Sequence, residues 1–148
     1  RPDMAGSIVV TTSKVAGSGG VTKHSIAWTS DAAGAVSGNT MSMPPGSIVA
    51  VEFIPGSGGT QPTNAYDVDF LDAEGVSMFS DGAATPASIG LDLSNAAAAH
   101  RVPFIYGAAG STYVRAWLQG GSGYQPTVAA AGNAKTGTIE IYVTPAVL

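Results

Sequence analysis

The sequence predicts an all-β chain: a β-sandwich or jelly-roll-like single domain of six to eight strands with one short helical insertion. Three observations carry that expectation. Six segments rich in β-branched and aromatic residues alternate in polarity with period two. Gly- and Pro-rich punctuation separates them at short intervals. Charged residues make up only 11% of the 148 positions, and the apolar share of 45% comes largely from Ala and Val. A chain of this length fits one domain around one core. Its net charge of -4 and recurrent apolar runs are far from the composition of a disordered chain.

Residues 1–6 lack strand alternation and carry Pro2 and Gly6, so they are expected to form a flexible N-terminal arm ahead of a single β domain spanning 7–148. The strands expected in order are SIVVTT (7–12), VTKHSIAWTS (21–30), SIVAVEFI (47–54), YDVDFLD (66–72), TYVRAWLQ (112–119) and GTIEIYVT (137–144). Segments 76–79 and 102–106 are weaker candidates that bring the count to eight. GSGG (17–20), PPG (44–46), PGSGG (55–59) and GGSG (120–123) punctuate these strands as turns and loops. A capping signal at Thr85-Pro86, and Ser94 as the natural N-cap of NAAAAH (95–100), predict a turn or two of helix. So short a helix is unstable alone and must lie against the sheet or another subunit.

Composition excludes several classes of function. The six basic residues, Arg1, Lys14, Lys23, Arg101, Arg115 and Lys135, are scattered and form no stripe for phosphates, so no direct nucleic-acid partner is expected. Without cysteine there is neither a disulfide framework nor a thiolate metal site. No apolar stretch approaches a membrane span and no signal-like region opens the chain, which predicts a soluble, unexported protein with no membrane partner. Arg1-Pro2-Asp3 ahead of Met4 is compatible with processing, an added residue or a different start.

No catalytic constellation is expected, and no cofactor. The serines lack a G-x-S-x-G elbow and the two histidines lack an H-E-x-x-H pattern. His24 shares a strand face with Ile26 and Trp28, where an imidazole is ordinarily a hydrogen-bonded structural residue. His100 follows the Ala run, the usual place for a cation at a helix end. None of the glycine loops fits G-x-G-x-x-G, and AKTG (134–137) lacks the rest of a phosphate loop. The chain therefore reads as a protein that is not an enzyme.

Asp67, Asp69, Asp72 and Glu74 crowd the stretch YDVDFLDAEG (66–75). In a strand, Asp67 and Asp69 share one face while Tyr66, Val68 and Phe70 share the other, which predicts one wet side and one buried side. An EF-hand loop would need an acid where Leu71 stands, so no metal site is expected. AEG (73–75) is expected to close a turn.

Two strands look apolar on both faces. In TYVRAWLQ, Val114, Ala116 and Leu118 form one face, and Tyr113 and Trp117 flank Arg115 on the other. In SIVAVEFI, Val49, Val51 and Phe53 oppose Ile48, Ala50 and Ile54 around Glu52. A small two-layer fold has one interior, so the second face is expected to meet the short helix and loops or, as the favoured reading, another protein, with Tyr113, Arg115, Trp117, Ile48 and Ile54 in an oligomer interface.

MAGSIVVT near the start, HSIAWTSDAAG (24–34), PGSGGTQPTNAYDVDFLDAEG (55–75) and NAKTGTIEIYV (133–143) resemble, in that order, small virion proteins of tailed bacteriophages of the capsid decoration or cement type. The resemblance covers most of the chain from Met4 onward, except residues 83–101. It implies a structural protein on the capsid exterior, made in the host cytoplasm. Its partners would be the major capsid protein and further copies of itself, typically in trimers. The arm residues Arg1, Pro2, Asp3, Met4 and Ala5 would then reach over a capsid neighbour. Two alternatives share the composition: a tail, fibre or baseplate β module, and a lectin-like module using Trp28, Tyr66, Tyr113, Trp117 or Tyr124 as stacking platforms.

Overall fold

The computed structural model describes residues 6–78, 91–93, 95, 100–102, 106–108, 112–114 and 117–146; residues 91–93, 100–102, 106–108, 112–114 and 117 are described by their backbone pairing. The expected arm residues Arg1 to Ala5, Arg115 and most of the expected helical insertion, Ser94 and 96–99 included, lie outside the described residues. The described strands are β1 (Ser7–Lys14), β2 (Thr22–Thr29), β3 (Met41–Met43), β4 (Gly46–Pro55), β5 (Tyr66–Leu71), β6 (Leu91–Leu93), β7 (His100–Val102), β8 (Tyr106–Ala108), β9 (Thr112–Val114), β10 (Trp117–Leu118), β11 (Gly121–Ala129) and β12 (Thr136–Pro145). A single 3-10 turn, Gly58–Thr60, is the helical element among them. The fold is a β-sandwich, as the alternation predicts.

The larger sheet runs β1-β2-β12-β4, with β10 and β7 along the far edge of β4. The smaller sheet runs β3-β11-β5-β6, and β8 pairs with β9. Ile26, Trp28, Ile48, Val51, Phe53, Ile139, Ile141 and Val143 of the larger sheet join Met41, Met43, Tyr66, Val68, Phe70, Tyr124 and Val128 of the smaller one in a single core. Trp28 and Tyr66 link the layers, their ring centroids 5.8 Å apart. Strict alternation in β12, TGTIEIYVTP, turns Ile139, Ile141 and Val143 inward, which is what a central strand with one covered face requires.

Irregularities mark where the expectation needs correction. β4 is not a uniform two-faced strand: its register against β12 slips between Tyr142/Ala50 and Val143/Ile48. That bulge shifts the alternation by one residue, so Ile48, Val51 and Phe53 all face the core. Ile48 is therefore fully buried, and the outer face of β4 keeps Ala50, Glu52 and Ile54 at intermediate exposure. The expected strand 112–119 is two pieces, because β9 folds back on β8 while β10 pairs with Gly46 and Ser47 of β4. Its two-faced apolar pattern thus arises from segments that serve different sheets.

GGSG (120–123), expected as a loop, runs into the nine-residue strand β11. Pro126 falls between the Tyr124/Met41 pairing and the Val36/Val128 bridge, where β11 has a ladder only toward β5. A residue without an N–H is tolerated in such a gap. Of the weaker segments, Ser77 bridges Leu71; in the other, Val102 ends β7 and Tyr106 opens β8, and 103–105 lie outside the described residues. Gly6 is not loose: it is buried against Ala35, and its carbonyl accepts a hydrogen bond from Asn39 Nδ2 at 3.0 Å.

Candidate interaction surface

One end of the sandwich is tied by polar contacts between three loops. Ser30 Oγ donates to the Gly132 carbonyl at 2.6 Å and accepts from the Lys135 amide at 2.8 Å. Asp31 Oδ1 accepts the amides of Ala33 and Ala35 at 2.9 and 2.8 Å, and so closes its own loop. Lys135 Nζ donates to the Gly59 carbonyl at 2.9 Å, and the Thr63 hydroxyl donates to the Ala130 carbonyl. Gly34, at φ +83, lies so close to Gly132 that a Cβ would strike its backbone nitrogen. The segments WTSD and NAKTG are thus adjacent in space and serve to fix a rigid loop end.

The outer face of the larger sheet is organised in rows by register. Val9, Ala27, Thr138 and Ile54 form one row, and Thr11, Ser25, Glu140 and Glu52 the next, with Arg101 beside Glu52. Glu140 and Glu52 are direct cross-strand neighbours, a destabilising juxtaposition by itself. Glu140 is held by Lys23 at 3.6 Å, the Tyr142 hydroxyl at 3.1 Å and Ser25 at 3.4 Å. A shallow trough of about 380 Å³ opens beside the first row, lined by Ala27, Ile54, Pro55, Ser57, Thr136 and Thr138.

β1 differs from every other long strand. It pairs with β2 over its whole length, from Ser7/Thr29 to Lys14/Thr22, and is the outermost strand of the larger sheet. Ile8 packs against the core, yet Val9 is 65% exposed and Val10 37%. Successive side chains point to opposite faces, so the strand shows apolar surface on both. The larger sheet is wider than the smaller one, and among the described residues β1 is a part left uncovered.

The expected site residues separate. Ile48 lies in the core and not on the outer face with Ile54. Tyr113 belongs to β9 and Trp117 to β10, strands of different sheets. Trp28, Tyr66 and Tyr124 are buried at 3%, 1% and 3% exposure, so none presents a ring face for stacking a ligand. Burial pushes the Tyr66 hydroxyl up to about 12, which keeps it protonated. His24 is a buried structural residue as expected: its Nδ1 and Nε2 lie 3.2 and 3.0 Å from the hydroxyls of Thr12 and Thr22, and burial lowers its pKa. His100 opens β7, and the Ala run before it lies outside the described residues.

The acidic stretch is only partly wet. Asp69 is 4% exposed, against the expectation of a solvated side chain, and its Oδ1 accepts from the Phe70 amide and the Ser77 hydroxyl, both at 2.7 Å. Its second oxygen has no partner among the described residues. Asp67 stands opposite Asp92 in the β5/β6 register. Asp72 Oδ1 accepts the amides of Glu74 and Val76 at 3.0 and 2.8 Å, so the AEG turn forms as expected. No group of His, Asp or Glu side chains among the described residues is arranged to hold a metal ion.

The uncovered β1 escaped the sequence reading because a strand's place in its sheet is set by pairing far along the chain. Its one local signal is the doublet Val9-Val10, which breaks the alternation seen in β2 and β12. No family model matches the chain, and neither the curated proteins nor the solved structures yield a match. Among the described residues no helix is long and apolar enough to cross a membrane.

Proposed function

We propose that this chain is a structural virion protein of a tailed phage, a capsid decoration protein that binds the major capsid lattice from outside and stabilises the head. The observation that supports it is the uncovered β1 at the margin of a sandwich whose loop end is tied down. A stiff body with an unfinished edge is suited to bridging neighbours in an assembly, and many copies make weak individual contacts sufficient. Residues 1–5 directly precede that edge, so an arm reaching over a capsid neighbour would start where the sheet is open. Mixing the purified chain with undecorated heads of the phage that encodes it, followed by sedimentation, tests the proposal. Full-length protein should pellet with the heads, and protein lacking residues 1–5 should pellet less. Failure of the full-length protein to pellet overturns it.

A further inference from the structure

We infer that β1 pairs edge to edge with β1 of a second copy of this chain, antiparallel across a two-fold axis, so that two larger sheets become one continuous sheet. The inference concerns the free protein; it uses the same edge as the virion proposal, so a lattice neighbour that pairs with β1 would have to displace the second copy.

Long edge strands are usually protected from such pairing by a proline, an inward charge, a bulge or shortness. β1 has none of these: it is eight residues long, its register with β2 is unbroken, and it carries no proline and a single charge, at its last residue, Lys14. Its outward backbone groups form a continuous template. Val9 and Val10 add the second requirement. They lie on opposite faces, so a partner resting on either face would cover one and leave the other in water. A strand added at the edge flanks both.

Charge selects the occupant and the direction. Lys14 ends β1 and makes that end of the edge basic, since Lys23, the register partner of Ser13, is paired with Glu140. At the other end Ser7 pairs with Thr29, two residues before Asp31. Antiparallel self-pairing holds the two Lys14 side chains at opposite ends and carries each toward the end at which the other copy's Asp31 lies. Parallel self-pairing would stack Lys14 on its own copy, which costs free energy. The middle of the strand, Val9-Val10-Thr11-Thr12, offers uncharged β-branched side chains that pair well with one another across strands. An isologous contact of this kind closes on itself and needs no further partner.

The absence of cysteine makes the test direct. Cross-strand partners share a face, so the two-fold axis must pass between one residue and its own copy. The pairing that overlaps the strands most fully is centred on Val10 or Thr11. Facing residues have Cα atoms about 4.5 to 5.5 Å apart, within reach of a disulfide. Single cysteines at Val9, Val10, Thr11 and Thr12 should therefore give one position, Val10 or Thr11, that crosslinks rapidly on oxidation, with its neighbours lagging. In sedimentation equilibrium the wild type should show twice the 14.7 kDa chain mass. Val9→Lys combined with Thr11→Lys should show a monomer that keeps the wild-type circular-dichroism spectrum and a cooperative melt, at a lower temperature because the stabilisation from dimerisation is lost. A wild-type monomer or trimer overturns the inference, as does crosslinking at none of the four positions or equally at all of them. If the lysine variant fails to fold, the cysteine series decides alone.

Discussion

The indole of Trp28 lies over Gly137, its register partner on β12, so closely that a Cβ at Gly137 would overlap the ring at Cζ2 and Cε2. Trp28 is buried and packed against Tyr66, so a ring pushed aside would lose that contact. Gly137→Ala should therefore cost about 1–3 kcal/mol in thermal or denaturant unfolding, the range for overpacking a core. Trp28→Phe in the same background should recover part of that loss.

The bulge in β4 separates two isoleucines that look alike in sequence. Ile48→Ala removes a fully buried side chain and should cost about 2–5 kcal/mol. Ile54→Ala acts on the half-exposed outer face and should cost roughly 1 kcal/mol or less. Equal losses in urea titrations would mean that the bulge is misplaced.

Asp69 and Ser77 should behave as a coupled pair. Asp69→Ala strands the Phe70 amide and the Ser77 hydroxyl, which predicts a loss of about 1–3 kcal/mol. Asp69→Asn keeps an acceptor for both donors and should lose less. In a double-mutant cycle with Ser77→Ala, the two single losses should sum to more than the double loss, since both report one hydrogen bond.

His24 should make stability depend on pH. Its folded pKa is lowered from 6.5 by burial, so below that value the unfolded chain takes up a proton that the folded chain refuses. Stability is fully present while the ring is neutral in both states. It should fall as pH drops from roughly 7 toward 5, the span in which an ordinary histidine titrates. His24→Gln should flatten that part of the curve, as read by melting temperature against pH.

What the sequence reveals follows what is local. β2 and β12 are legible because one covered face imposes strict alternation, as in Ile139, Ile141 and Val143, and β5 because its apolar and acidic residues alternate although Asp69 is covered as well. β11 is not, because Gly121, Gly123 and Pro126 read as loop residues and only the one-sided ladder beside Pro126 makes the strand possible. Ile48 reads as an outer-face residue in sequence because a bulge is a property of two strands at once. Asp69 was expected in water because alternation says which side a residue takes and not whether that side is covered. At the candidate surface the strand at Ser7–Lys14 is legible, whereas its exposure depends on how far the opposing sheet extends.

The position of β12 has a consequence for how the protein is made. It lies between β2 and β4 at the centre of the larger sheet, although every other described strand precedes it in the chain. During synthesis the β1/β2 hairpin and β4 must wait, each with an open flank, until residues through Pro145 have left the ribosome. The sheet then closes in one late step by insertion of its middle strand. Such long-range pairing is slow compared with local hairpin formation. A nascent chain stalled before Thr136 should thus be sensitive to protease throughout, and release of the last ten-residue strand should confer resistance on the whole domain together.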